Sequence, residues 1–70
     1  MINKIEVFVN GIVEPVVYGS TICDLLILKA IDPARIVVEV NQNIIKRDKY
    51  DSYRLTGNDK VEILRFVGGG

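Results

Sequence analysis

Val61-Glu62-Ile63-Leu64-Arg65-Phe66-Val67-Gly68-Gly69-Gly70 is the stretch on which the fold turns. Its first seven residues alternate, with Val61, Ile63 and Val67 on one face and Glu62, Leu64 and Phe66 on the other. That period of two is the signature of a β-strand. The strand runs directly into three glycines. Immediately before it, Gly57-Asn58-Asp59 has the composition of a turn.

The same period recurs at the other end of the chain. Lys4 to Val9 places Ile5, Val7 and Val9 on one side and Lys4, Glu6 and Phe8 on the other. Asn10-Gly11 follows, a strong hairpin signal because both residues tolerate the positive φ of a type I′ turn. Ile12 to Tyr18 returns as a second strand, and Pro15, which has no N–H for a ladder, assigns it to a sheet edge. Thr21 with Asp24 then resembles a capping box, opening a helix of roughly nine to ten residues. Ile22, Leu25, Leu26 and Ala30 form its apolar stripe, and Asp32-Pro33 is expected to stop it. Ile36 to Val40 predicts a third strand with Ile36, Val38 and Val40 inward and Val37 and Glu39 outward. Asn41-Gln42-Asn43 is a turn, Ile44-Ile45-Lys46 a very short fourth strand, and Arg47 to Arg54 a polar loop with room for one helical turn. The result is an α+β arrangement, one helix across a mixed sheet.

Composition narrows the function. Seventy residues suffice for one domain, expected over 1–67, with 68–70 as a tail. At 49% hydrophobic and 26% charged, the chain can bury a core. Nine basic and nine acidic residues cancel, which argues against nucleic acid as a partner. No apolar run approaches the ~20 residues of a membrane span, and no signal peptide is visible, so no membrane partner is expected. One cysteine, Cys23, cannot form an intramolecular disulfide, which points to a reducing, cytoplasm-like compartment. With no histidine, neither a Ser-His-Asp nor a Cys-His catalytic centre can be assembled, nor a Cys/His zinc site. Autonomous catalysis is not expected of this chain.

The element order together with the glycine terminus resembles the β-grasp fold of ubiquitin-like proteins, and within it the ThiS sulfur-carrier family. The matching residues are Val7-Phe8-Val9-Asn10-Gly11, Val38-Glu39-Val40-Asn41 with Ile44, Ile45 and Arg47, and Asp59-Lys60-Val61-Glu62-Ile63 running into Phe66-Val67-Gly68-Gly69-Gly70. Lys46 stands where the family usually has proline, and Gly57-Asn58-Asp59 where it tends to have Asp-Gly-Asp. The resemblance implies a sheet order of 2-1-5-3-4, with the Pro15 strand at an edge and the last strand at the centre. It also implies a chemistry. A ThiF-type adenylating enzyme, using ATP and magnesium, would activate the Gly70 carboxylate. Persulfide sulfur from a cysteine desulfurase relay would convert it to a thiocarboxylate, and the thiazole synthase ThiG would take that sulfur for thiamine. The chain itself would bind no cofactor. In a plastid-encoded relative the compartment would be the stroma.

Glycines suit that role physically. Gly68, Gly69 and Gly70 form the thinnest peptide available and span roughly 10 Å, enough to thread a narrow channel into another protein's active site. A merely frayed, glycine-rich end is the plain alternative. Phe8, Val37, Leu64 and Phe66 are expected to point away from the helix as a contiguous apolar patch for docking a partner, with Glu62 and Glu39 on the same face setting register. Cys23 is expected to pack as a small hydrophobe. Tyr50 and Tyr53 are expected to cover the open end of the core, and Lys46, Arg47, Lys49 and Arg54 to lie on a solvated loop with Asp48 and Asp51. The small, MoaD-like subunit of molybdopterin synthase shares the fold and the terminal glycines. A sulfur carrier for cysteine synthesis, a ubiquitin-like modifier joined to lysines and a non-covalent interaction module are the other readings.

Overall fold

A computed structural model of the chain describes residues 3–66. The expected last residue of the final strand, Val67, and the glycines after it lie outside the described residues. Strands β1 (Lys4–Val9), β2 (Ile12–Val17), β3 (Ile36–Val40), β4 (Asn43–Ile45) and β5 (Lys60–Arg65) form one sheet in the order β2-β1-β5-β3-β4. The sheet is mixed: β1 and β5 run parallel, and the other neighbours are antiparallel.

The β1–β2 hairpin forms because Asn10 and Gly11 take positive φ (49° and 83°), the primed turn that follows the twist of the strands. Asn41 and Gln42 repeat the device between β3 and β4 (φ 52° and 72°), with glutamine in a conformation most residues resist. The fourth strand therefore begins at Asn43, one residue earlier than its sequence suggests. Pro15 sits in edge strand β2, opposite Glu6. The Tyr18 N–H donates across to the Asn3 carbonyl (2.8 Å), so even-numbered residues of this segment face β1 and Pro15 turns its ring nitrogen to the free edge. No ladder bond is lost.

Helix α1 spans Ile22–Leu28, shorter than the expected nine to ten residues. Its start follows the sequence: the Asp24 N–H donates to Thr21 Oγ1 (3.1 Å) and the Thr21 N–H to Asp24 Oδ2 (3.0 Å), a reciprocal capping box. The next free donors are met from afar, the Ile22 N–H by the Tyr53 carbonyl and the Cys23 N–H by that of Tyr50. Its end departs from the expected stop at Asp32-Pro33. Ala30 turns left-handed (φ 55°), the Ala30 N–H donates to the Ile27 carbonyl and the Ile31 N–H to that of Leu26. That pair is a Schellman motif built on alanine instead of glycine. Ala30 is therefore exposed beyond the helix and not part of its stripe, while Ile31 folds back onto the core.

Ile22, Leu25 and Leu26 pack on one sheet face against Val7, Val9, Ile36, Val38, Val40, Val61 and Ile63. Each fully buried residue of this kind contributes about 1.5–3 kcal/mol. Tyr50 closes one end of this core, with Tyr53 and Cys23 half-buried against it, as expected. A 3₁₀ turn at Arg47–Lys49 supplies the helical turn foreseen in the polar loop. Arg54 leaves the basic cluster and donates from Nη1 to the Gly19 carbonyl (2.9 Å). Within the described residues, no helix is long and apolar enough to cross a membrane.

Candidate functional site

β5 is held on both sides and leads to the glycines, so its environment defines the site. On one side it pairs with β3 over five register positions, from Ile36↔Arg65 to Val40↔Val61. On the other it pairs with β1 only at Phe8↔Lys60 and Val9↔Val61. Beyond that point the side chain of Asn10 replaces a strand. The Ile63 N–H donates to Asn10 Oδ1 (2.8 Å), and Asn10 Nδ2 donates to the Ile63 carbonyl (3.2 Å). A turn residue thereby extends the ladder by one unit. The Phe66 N–H donates to the Arg35 carbonyl (3.0 Å), continuing the β3 register one residue past β5. The start of β5 is fixed by Asp59, 6% exposed, whose carboxylate accepts from the Thr56 N–H (2.8 Å), Thr56 Oγ1 (3.0 Å) and Asn41 Nδ2 (3.0 Å). Asn41 Oδ1 in turn accepts from the Lys60 N–H (3.0 Å). Two turns are thus locked to the first residue of the strand.

The face of the sheet opposite α1 carries the expected docking residues. Leu64 and Val37 are direct cross-strand partners, Leu64 47% exposed and Val37 half-buried. Phe66 is 58% exposed and by alternation belongs to the same face. Phe8 is half-buried opposite Lys60. The four do not form one unbroken apolar patch. Lys60 and Leu64 are about 13 Å apart along β5, and between their levels lies the pair Glu62↔Glu39. The surface is two apolar groups divided by two carboxylates.

Four further apolar residues belong to this face and are not among the expected docking residues. Val13 pairs with Phe8, Pro15 with Glu6, Val17 with Lys4, and Ile44, 68% exposed, with Glu39. The same period of two holds the signal for them, read on β2 and β4 as well as on β1, β3 and β5. A shallow recess lined by Phe8, Gly11, Lys60, Val61 and Glu62 opens where β1 ends and β5 continues. Gly11 has nothing within 4 Å of where a Cβ would stand, so its turn requirement, not crowding, selects glycine.

Comparison with known proteins agrees with this geometry. The model of the ThiS family matches residues 4–70. The sulfur carrier protein ThiS of Bacillus subtilis is 40% identical over 51 residues, covering 73% of this chain and 77% of its own. The uncharacterized protein ycf40 of Porphyra purpurea is 34% identical across the full length of both. A thiazole synthase of Magnetococcus marinus is 29% identical over 93% of this chain, which spans only 20% of that relative. Among solved structures, the thiamine biosynthesis protein ThiS of Geobacter metallireducens superposes with a TM-score of 0.80 at 30% identity, covering 94% of this chain and all of that one. The strand order and the match across residues 4–70 place this β-grasp chain in the ThiS family.

Proposed function

We propose that the chain is a sulfur carrier for thiamine thiazole synthesis, with the Gly70 carboxylate as the group that carries sulfur. The observation that supports this most is the seating of β5. A strand pinned at its start by Asp59, along its length by β3 and at Ile63 by Asn10 gives the glycine segment a fixed point of departure.

A carboxylate resists nucleophiles because of its negative charge. Attack of a Gly70 oxygen on the α-phosphorus of ATP releases pyrophosphate and gives an acyl-adenylate, which has lost that charge and gained a good leaving group. A ThiF-type adenylating enzyme supplies the ATP and magnesium site. The terminal sulfur of a persulfide from a cysteine desulfurase relay displaces AMP, and a thiol cleaves the S–S bond to leave the Gly70 thiocarboxylate. The thiazole synthase ThiG receives the sulfur. That a Magnetococcus thiazole synthase contains a stretch similar to this chain supports such a partnership. The chain contributes no catalyst: it presents Gly70, threads Gly68 and Gly69, and docks through Phe8, Val37, Leu64, Phe66 and Glu62. The place of action is the cytoplasm, or the stroma in a plastid.

Intact-mass measurement tests this. After incubation with a ThiF-type enzyme, ATP and a persulfide donor, the chain should gain about 16 Da, one oxygen exchanged for sulfur at an acyl carbon. A chain that stays unmodified there but is recovered joined to lysines from cell extracts belongs to the modifier reading instead.

A further inference from the structure

Asn10 stands at the tip of the β1–β2 hairpin, and of the chain's asparagines (Asn3, Asn10, Asn41, Asn43 and Asn58) it alone is followed by glycine. Asparagine is a chemically labile residue, and it is most open to spontaneous deamidation where the attacking nitrogen belongs to a residue without Cβ. Apart from its chain neighbours, nothing lies within 4 Å of where a Gly11 Cβ would stand, and Asn10 itself is exposed. Neither crowding nor burial shields the bond. What holds the residue is β5. The Asn10 N–H donates to the Val61 carbonyl (2.9 Å), while its side chain accepts from the Ile63 N–H (2.8 Å) and donates to the Ile63 carbonyl (3.2 Å). The two side-chain bonds commit both polar atoms of the amide and fix its plane against the backbone of β5. An N–H on Oδ1 also polarises the carbonyl toward attack, so the clamp protects only by holding the amide still.

We propose that Asn10-Gly11 is a self-modification site of this chain and that the clamp on Ile63 sets its rate. The step needs only water. With the clamp open, the Gly11 backbone nitrogen gives up its proton and bonds to Asn10 Cγ. The Cγ–Nδ2 bond breaks, and Nδ2 leaves with that proton as ammonia. Water then opens the cyclic imide at either carbonyl, leaving aspartate or isoaspartate at position 10; nothing is oxidised or reduced. Neither product rebuilds the clamp. In aspartate an acceptor replaces the Nδ2 donor and faces the Ile63 carbonyl, two acceptors with no proton between them. In isoaspartate the main chain runs through Cβ and Cγ, which lengthens the turn and breaks the primed geometry that joins β1 to β2. The modification is a one-way loss of an anchor of β5. It follows from the fold and does not depend on what the chain carries.

The test follows conversion of residue 10 in the full chain at mildly alkaline pH, by peptide mass spectrometry with an isoaspartyl methyltransferase to label the isomer. Three conditions are compared: native buffer, guanidinium chloride below the unfolding transition, and guanidinium chloride above it. Hydrogen exchange of the Ile63 N–H, which is released when the clamp opens, is measured under the first two. Conversion in native buffer should be about tenfold or more slower than in the unfolded chain, because two hydrogen bonds oppose opening. Below the transition, the conversion rate and Ile63 exchange should rise together. The isolated converted chain should melt at least about 4 °C below the parent. Native conversion as fast as that of the unfolded chain overturns the proposal, and faster conversion overturns it by making the Ile63 N–H an activator. A native rate that does not follow Ile63 exchange overturns it by moving control to the turn backbone. A converted chain that melts like the parent overturns the loss of the anchor, and an unfolded chain that does not convert overturns the site itself.

Discussion

Asn10 does two jobs that are read differently from sequence. Its left-handed backbone (φ 49°) is legible, because Asn-Gly between two alternating stretches calls for a primed turn. Its clamp on Ile63 is not legible, since the partner lies 53 residues away and the contact depends on where β1 stops beside β5. Asn10→Gly separates the two: the turn survives and the clamp is lost, so urea denaturation should show about 1–3 kcal/mol of destabilisation. Asp59 also hid its role. It reads as a turn residue, yet it is the buried acceptor for Thr56 and Asn41, and Asp59→Ala should cost about 2–4 kcal/mol by the same measurement. The opposite sign is expected at Ala30 and Gln42, which hold positive φ without being glycine. Ala30→Gly and Gln42→Gly should each raise stability by up to about 1 kcal/mol, relief of left-handed strain being partly offset by a more flexible unfolded chain. Alanine at the helix end is also why that boundary is not legible in the sequence: nothing in Leu28-Lys29-Ala30-Ile31 signals a stop, and the fold-back of Ile31 onto the core enforces one.

At the scale of the elements, β5 has one face for the core and one that the proposed function gives to a partner. Ile63 is 9% exposed and Leu64 47%, although they are adjacent. Ile63→Asp buries an unpaired charge and should abolish cooperative folding in circular dichroism melts. Leu64→Asp should leave the melt nearly unchanged and weaken binding to the adenylating enzyme by ~2 kcal/mol or more. Equal unfolding by both would contradict the assignment of faces. Strand identity, alternation and the edge position of Pro15 were all visible in the chain because period and backbone chemistry are local properties. The division of the docking face by Glu39 and Glu62 was not, because it depends on cross-strand register between segments more than twenty residues apart. Pro15 also has an expected consequence of its own: it interrupts the free edge between Val13 and Val17. Pro15→Thr should restore a continuous donor row, and sedimentation should then show concentration-dependent self-association.

On the proposed function, separate parts of the molecule take separate tasks: the sheet docks, β5 aims and Gly70 reacts. Removing Gly69 and Gly70 takes away no side chain, so the melting temperature and the affinity for the adenylating enzyme should hardly change. The new carboxylate, on Gly68, would stop about 7 Å short of the reacting position. An error of even ~1 Å in placement can cost about a hundredfold in rate. The most direct measurement is therefore ATP-dependent adenylate formation on the full chain and on the chain lacking Gly69 and Gly70, at equal occupancy of the adenylating enzyme. The full chain should be adenylated and the shortened chain should not, although both bind. Adenylation of the shortened chain at the normal rate would contradict the assignment of Gly70 as the reacting group.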